Sequence, residues 1–591
     1  MKERHHELET DIVVAGGGMA GVCAAIAAAR HGARVILLQD RPVLGGNASS
    51  EVRMHICGAD CSGGRPEIDA RESGLIEEIK IEEGVRNPQR SASMFDIVLY
   101  DLVLAEPNVT PMLNTFCDGA LVSEDRIVAV TASRPSTEDA FTIYTELAID
   151  CTGDGRLGHE AGAVYREGRE GRDAFNESIA PERGDNLRLG STLLFMAREH
   201  DRPMPFTPPS WARVFPSCDD LPHRRHAHFD YGFWWMEWGG TLDTIADNET
   251  IRDELLRIAM GVWDHIKNRA DHGADNWALE WVGMVPGKRE SRRFEGDHIM
   301  RESDMMNSVL FRDRVAYGGW SLDLHPPDGI DDPGKPFTPT HLPDLYSIPL
   351  RSLYSRNIDN MLMAGRNVSA SHVAFGSTRV MATCAVMGQA AGTAAAMCVE
   401  AGIAPRDIVA DDDLLTSLQQ TLVRDDAYII DCPNNDPEDV ARGARVTASS
   451  QTDGGAAKNV VNGVTRGVGE VSNRWISEPG TPQWIRLDFD NPQTVSTVHL
   501  TFDTGLHRPL GLSHNQGLID KMVRGAQPEV IADYRLEGIR GDETVPLIEV
   551  TDNYRRKRVH RFDAIELEGL RLVATKTGGD ESVRLFEMRA Y

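Results

Sequence analysis

Asp11-Ile12-Val13-Val14-Ala15-Gly16-Gly17-Gly18-Met19-Ala20-Gly21, continued by an alanine-rich run to Arg30 and by Arg34-Val35-Ile36-Leu37-Leu38, decides the fold. The first run is short and β-branched, the second has helical composition, and the third is again β-branched: strand, tight turn, helix, strand. Two parallel strands joined by a helix make a right-handed βαβ unit. Gly16, Gly18 and Gly21 stand at the spacing G-x-G-x-x-G, where the turn must be tight, the backbone must approach a pyrophosphate and the helix must lie close to the strand. The helix start, at Met19 and Ala20, supplies N–H groups and the positive end of a dipole to the phosphates. The second strand ends at Gln39, 23 residues after Gly16, where an acid is the usual ribose ligand. Gln39 is expected to bond ribose hydroxyls as a neutral group, with Asp40 beside it.

Three later stretches separate FAD from NAD. Asp40-Arg41-Pro42-Val43-Leu44-Gly45-Gly46 resembles the ERxxxxGG extension of the glutathione-reductase-type FAD fold, with Asp-Arg in place of Glu-Arg. Ile149-Asp150-Cys151-Thr152-Gly153-Asp154-Gly155 resembles that fold's ATG motif, and Asn360-Met361-Leu362-Met363-Ala364-Gly365-Arg366 its last FAD motif. Gly45-Gly46-Asn47-Ala48-Ser49-Ser50-Glu51-Val52-Arg53, Gly287-Lys288-Arg289-Glu290-Ser291-Arg292-Arg293, Gly318-Gly319-Trp320-Ser321-Leu322-Asp323-Leu324-His325 and Gly365-Arg366-Asn367-Val368-Ser369-Ala370-Ser371-His372 together resemble the FAD dependent oxidoreductase family of polysaccharide-degrading bacteria, over roughly residues 10–425. The resemblance implies FAD as cofactor. It places Asn47, Ser49, Ser50, Thr152, Gly153, Asp154, Gly365 and Arg366 at the cofactor, with Arg379 and Val380 at the start of a helix aimed at the flavin. No second G-x-G-x-x-G is present, so a separate nicotinamide domain is not expected and the electron acceptor is open.

The chain has 591 residues, about four domains at ~150 residues each. Asp and Glu outnumber Lys and Arg by 90 to 62, a net charge of −28 that argues against a nucleic-acid partner, whose phosphates demand a basic surface. The start shows no apolar leader, and nine cysteines form no disulfide framework, so a reducing, cytoplasmic setting is expected. Met381–Ala404 has the length of a membrane span. Its Gln389, Glu400 and many alanines favour a tightly buried helix, and no membrane partner is expected.

The predicted class is α/β: a Rossmann-like FAD-binding domain (1–160 and 351–430), an inserted α+β substrate cap (161–350), and an all-β sandwich (440–591). The last segment runs in short alternating strands between Gly, Asn and Pro. Its Ala444–Ser450, Asn473-Arg474-Trp475-Ile476-Ser477 and Pro482–Phe489 stretches resemble a discoidin-like (galactose-binding-like) module, which implies either glycan binding or a scaffold. In that family carbonyls of a loop such as Asn462-Gly463 hold calcium.

An alcohol dehydrogenated by a flavin needs a base for its hydroxyl proton. His372, seven residues after Gly365, is the first candidate and His325 the second; a structural histidine is the alternative for each. Arg289 and Arg292 offer guanidinium forks for an acid or hydroxyl substrate, or a buried charge network. Trp235 and Glu237 in Phe233–Gly240 pair an aromatic face with a carboxylate, as a sugar requires, or form a core strand. Arg53 and His55 are further substrate candidates, and unlinked flavin is expected rather than a covalent bond to His55. A redox pair Cys57–Cys61 is disfavoured by its spacing, and no cysteine run fits an iron–sulfur cluster, so no metal is expected. The leading expectation is dehydrogenation of a secondary alcohol of a carbohydrate or polyol by hydride transfer to FAD. The alternatives are redox chemistry at a carbon–carbon double bond of an acid, or a glycan-binding protein without activity. A homo-oligomer is left open.

Overall fold

Ile12, Val13, Val14 and Ala15 expose no surface, because this end of the strand Arg4–Ala15 is covered on both faces, whereas its start is exposed. A continuous apolar run, rather than an alternating one, is what a doubly covered parallel sheet requires. The computed structural model describes residues 4–59 and 68–591. Contacts divide the chain into two units: Met1–Gly63, Arg90–Leu415 and Leu512–Asp520 form one, and Gly64–Gln89, Thr416–Gly511 and Lys521–Tyr591 the other.

In the first unit, parallel strands stand in the order Val109–Met112, Val35–Leu38, Arg4–Ala15, Asp139–Asp150 and Met361–Met363. Phe116–Ser123 and Arg126–Arg134 extend the amino-terminal half of Asp139–Asp150 in antiparallel fashion. Met361–Met363 pairs with its carboxy-terminal half. Asn360 makes the junction: its amide donates to the carbonyls of Ile127 and Glu146, both at 2.8 Å, and accepts from Ile127 N at 2.9 Å.

The crossover helix Met19–Arg30 is buried from Met19 to Ala29 and packs against Met381–Ala401. The latter helix is long and apolar enough to cross a membrane, yet most of it is buried inside this unit. Small residues explain the close approach. A Cβ on Gly388 would stand 2.1 Å from Ala20 O, and one on Gly392 2.2 Å from Ala24 O.

Between these halves the chain builds a cap from short antiparallel pairs, such as Phe195–Glu199 with Trp277–Val282, around the helix Asn248–Asp264. Phe195, Phe233, Trp235, Met236, Leu255 and Trp263 form its core. The helix ends in a wider π turn, His265–Arg269.

The second unit is an all-antiparallel sheet ordered Trp475–Ile476, Arg584–Ala590, Gln483–Phe502, Lys557–Thr577, Ile531–Arg540, Glu543–Val550, with Arg445–Ala448 also on Gln483–Phe502. Its core holds Trp475, Leu487, Leu500, Phe502, Leu572 and Met588. A linear boundary at 160 assigns the helix Leu75–Arg86 to the dinucleotide fold, but its contacts lie in this second unit. Three buried acids attach it there. Glu77 takes Arg71 at 2.7 Å and the Thr504 hydroxyl at 2.6 Å, Glu83 takes Arg524 at 2.6 Å, and Glu82 takes Arg555 at 2.8 Å.

Because backbone, not a flexible side chain, faces Gly388, the substitution Gly388→Ala is expected to lower stability by about 1–3 kcal/mol. Urea unfolding monitored by circular dichroism measures it, and an unchanged midpoint would contradict the packing described.

Candidate functional site

A cleft of about 380 Å³ opens where the glycine turn, the Gly45-Gly46 loop, the turn after Asp150 and the start of Met381–Ala401 meet. Each glycine there answers a different demand. Gly16 has φ +99°, and a Cβ on it would lie 2.3 Å from Cys151 O, so the turn itself requires glycine. A Cβ on Gly21 would lie 1.8 Å from Gly16 O, so helix and strand require it. Gly18 is different. Its φ of −68° suits any residue, and the nearest protein atom to a Cβ would be Gly46 Cα at 3.9 Å. Glycine at 18 therefore leaves room for something other than protein.

Both helices that start at the cleft lack a side-chain cap, at Gly18 and at Val380. Ala382 N donates to Cys57 O at 3.0 Å, and the other first N–H groups call for an acceptor, which an anion at the helix end supplies. Arg366 adds a buried Nη1 without a hydrogen-bond partner, while its Nη2 reaches Asp154 at 3.2 Å. Uncapped helix starts, bare backbone and an orphaned guanidinium nitrogen fit a dinucleotide pyrophosphate.

Asp150 organises the third wall. Fully buried, it accepts from Thr152 N at 2.9 Å, the Thr152 hydroxyl at 2.7 Å, Gly158 N at 2.9 Å and Asn367 Nδ2 at 2.9 Å. Burial pushes its carboxyl above the ordinary value despite these bonds. For Asp154 burial acts the same way, but Lys288 at 2.6 Å and Arg366 outweigh it and hold the group below the usual range.

Gly16, Gly18, Met19, Ala20, Gln39, Asp40, Arg41, Gly45, Gly46, Asn47, Thr152, Gly153, Asp154, Arg292, Gly365, Arg366 and Arg379 all line this cleft. Gln39 braces the turn: its Oε1 accepts from Gly17 N at 2.8 Å and its Nε2 donates to Val43 O at 3.0 Å, which leaves one N–H and one lone pair of the amide. Gly21, Ser49, Ser50 and Val380 stand behind the wall. The Ser49 hydroxyl bonds Gly46 O at 2.7 Å, and Ser50 N bonds Asp96 at 3.0 Å. The cleft also takes in Thr115, Phe116, Arg156, Asn248, Val285 and Lys288, which sequence reasoning missed. Of these only Lys288 carried a signal, inside the charged run 287–293.

The catalytic and substrate candidates form two charge networks. In one, His325 lies between Glu237, 2.7 Å from Nδ1, and Asp323, 3.1 Å from Nε2, and Asp323 also binds Arg379 at 3.0 Å. Burial disfavours the imidazolium, but the two carboxylates outweigh it and raise the ring above its ordinary value. A carboxylate thus faces each ring nitrogen of His325, so both are engaged inside the protein. Arg289 joins this network through Glu237 at 3.4 Å, the Thr192 hydroxyl and Trp234 O. Its fork is thus engaged inside the protein instead of at a substrate.

In the other network His372 Nδ1 faces Glu290 Oε1 at 3.0 Å, and Glu290 also binds Arg293 and accepts from Leu189 N at 2.9 Å. Burial would raise Glu290, yet His372 and Arg293 hold it below the usual range. A carboxylate on Nδ1 fixes the tautomer that leaves Nε2 as the basic nitrogen.

The remaining candidates are packed elsewhere. Trp235 stacks on Phe233 in the cap core, with ring centroids 4.8 Å apart. Arg53 lies over Trp281 at 4.1 Å, and His55 bonds the Tyr231 hydroxyl. Gly463 O, a proposed calcium ligand, accepts from Asn434 N at 2.9 Å. Cys61 lies outside the described residues, and with it the Cys57–Cys61 pair.

A family model described as FAD dependent oxidoreductase matches residues 11–422. The chain belongs to the FAD dependent oxidoreductase family. Membership makes the group that fits the cleft FAD. A second model, a domain of unknown function, matches 439–506. Among solved structures, chitosan-binding module 1 of a Paenibacillus sp. IK-5 chitosanase/glucanase is 20% identical, with a TM-score of 0.20, covering 26% of this chain and 98% of its own. The family 32 carbohydrate-binding module of C. perfringens NanJ, solved with galactose, is 14% identical at TM-score 0.20, covering 26% and 96%. That of Streptococcus pneumoniae EndoD is 19% identical at TM-score 0.21, covering 26% and 99%.

Two predictions follow from this geometry. Gly18→Val leaves the fold of this FAD dependent oxidoreductase intact by circular dichroism but abolishes flavin retention through gel filtration; a variant that stays yellow would contradict the role of Gly18. His325, raised in the folded state, contributes stability that is complete below its unfolded pKa near 6.5 and is lost as pH rises through its folded pKa. Melting temperatures above pH 6.5 should therefore fall more steeply for the parent than for His325→Gln, and parallel curves would refute a charged His325.

Proposed function

We propose that the protein dehydrogenates a secondary alcohol of a carbohydrate or related polyol, with His372 as the base. When bound, FAD supplies the two-electron acceptor for the hydride. His372 takes the hydroxyl proton at Nε2 while the carbon gives up its hydride and becomes a carbonyl. The observation that carries the proposal is the His372–Glu290 pair: the carboxylate orients the ring and stabilises the imidazolium that forms. Asp323 links His325 to Arg379, which lines the cleft.

The carbohydrate class is supported by the sequence resemblance and by hydrogen-bond donors on the cap side of the cleft, Asn248, Lys288 and Arg292, which hydroxyl oxygens accept. A double-bond substrate held by Arg289 is disfavoured by that residue's internal partners. A cytoplasmic setting belongs to the proposal and is supported by the cysteine usage.

Anaerobic mixing of the yellow protein with a panel of sugars, polyols and sugar acids, read at the flavin absorbance, tests the substrate class. One sugar or polyol is expected to bleach the flavin, and His372→Ala to slow that step by about 10²–10⁴-fold with flavin still bound. Bleaching by no hydroxylated compound would overturn the substrate class, and an unslowed variant the base.

A further inference from the structure

We propose that the cap holds a zinc ion on Cys218, His226, His265 and His272. These four side chains come from two separate stretches, the 3₁₀ turn Cys218–Asp220 with its following loop, and the π turn His265–Arg269 at the end of the cap helix with the loop that follows it to His272. One ligand atom from each lies within 4.8 Å of all the others. Nothing in the oxidoreductase chemistry uses them.

The separations match a metal site. Cys218 Sγ stands 3.6 Å from His265 Nε2 and 3.8 Å from His272 Nε2, and the two Nε2 atoms are 3.1 Å apart. Around a tetrahedral zinc, with Zn–N of about 2.0–2.1 Å and Zn–S of about 2.3 Å, sulfur and nitrogen ligands stand roughly 3.6 Å apart and two nitrogens roughly 3.3 Å apart. Three edges of that tetrahedron are therefore already present.

Orientation agrees with distance. His265 directs Nδ1 at Phe215 O, 2.9 Å away, which places the proton on Nδ1 and leaves the Nε2 lone pair facing the cluster. Such a carbonyl behind the ring is the usual outer support of a metal-bound histidine. The His226 ring centroid is 5.0 Å from that of His265 and 4.9 Å from that of His272, and its Nε2 is buried without a hydrogen-bond partner.

The donor set selects the metal. One thiolate and three imidazoles suit zinc, and four protein ligands leave no open position for chemistry, so the ion is structural. It would fasten the loop 218–226 to the end of the cap helix. His226 packs at 5.8 Å against Trp235, two residues before Glu237, so the fastening reaches the strand that carries the His325 network.

Metal analysis of the full-length flavoprotein tests the site. After zinc loading and passage over a chelating resin, the parent is expected to keep one zinc per chain. Cys218→Ser and His272→Ala are expected to bind zinc at least about a hundredfold more weakly with flavin content unchanged. Cobalt added to chelator-stripped parent should give visible bands at wavelengths beyond the flavin's, with the thiolate band absent in Cys218→Ser. A correctly folded parent that keeps no zinc and gives no cobalt spectrum overturns the proposal, whatever the variants do, and so does equal zinc retention by parent and both variants.

Discussion

Helix N-terminal N–H groups need acceptors, and the helix Met19–Arg30 receives none from a capping side chain. Everything around the cleft follows from that deficit. Serine or aspartate at position 18 would cap the helix and close the space; glycine leaves the N–H groups open and the backbone bare. Gly45 and Gly46 face the same space, and the helix Met381–Ala401 brings a second uncapped start to it. The alanine and glycine content of the two helices lets them approach closely enough for both starts to open on one cleft.

Behind this wall the protein keeps charge in pairs. A buried charge is tolerated only with partners, and three carboxylates have charged ones: Asp154 with Lys288 and Arg366, Asp323 with His325 and Arg379, Glu290 with His372 and Arg293. The two histidines look alike in sequence and differ in chemistry because of their partner count. His325 touches two carboxylates, one at each ring nitrogen; His372 touches one, at Nδ1.

The amino-terminal sheet was legible because each of its signals is local: β-branched runs, glycine spacing, an alanine-rich helix. The cleft-lining backbone was legible for the same reason. Gln39 also braces the glycine turn through Gly17 and Val43, contacts that spacing does not reveal. Thr115, Phe116 and Asn248 were invisible, since loops distant in sequence bring them to the cleft. Trp235 and Glu237 are neighbours in sequence but divide between a hydrophobic core and a charge network, because Trp235 lies in the turn before the two-residue strand Glu237–Trp238 and Glu237 opens that strand. The helix Leu75–Arg86 carries no such local signal: Arg71 is six residues from Glu77, but Arg555 and Arg524, the partners of buried Glu82 and Glu83, are remote in the chain.

The account stands on the cleft being a flavin site. Titration of flavin-stripped protein with FAD, followed by quenching of flavin fluorescence and then gel filtration, measures this directly. One FAD retained per folded chain is the predicted result; a folded chain that binds none would contradict it.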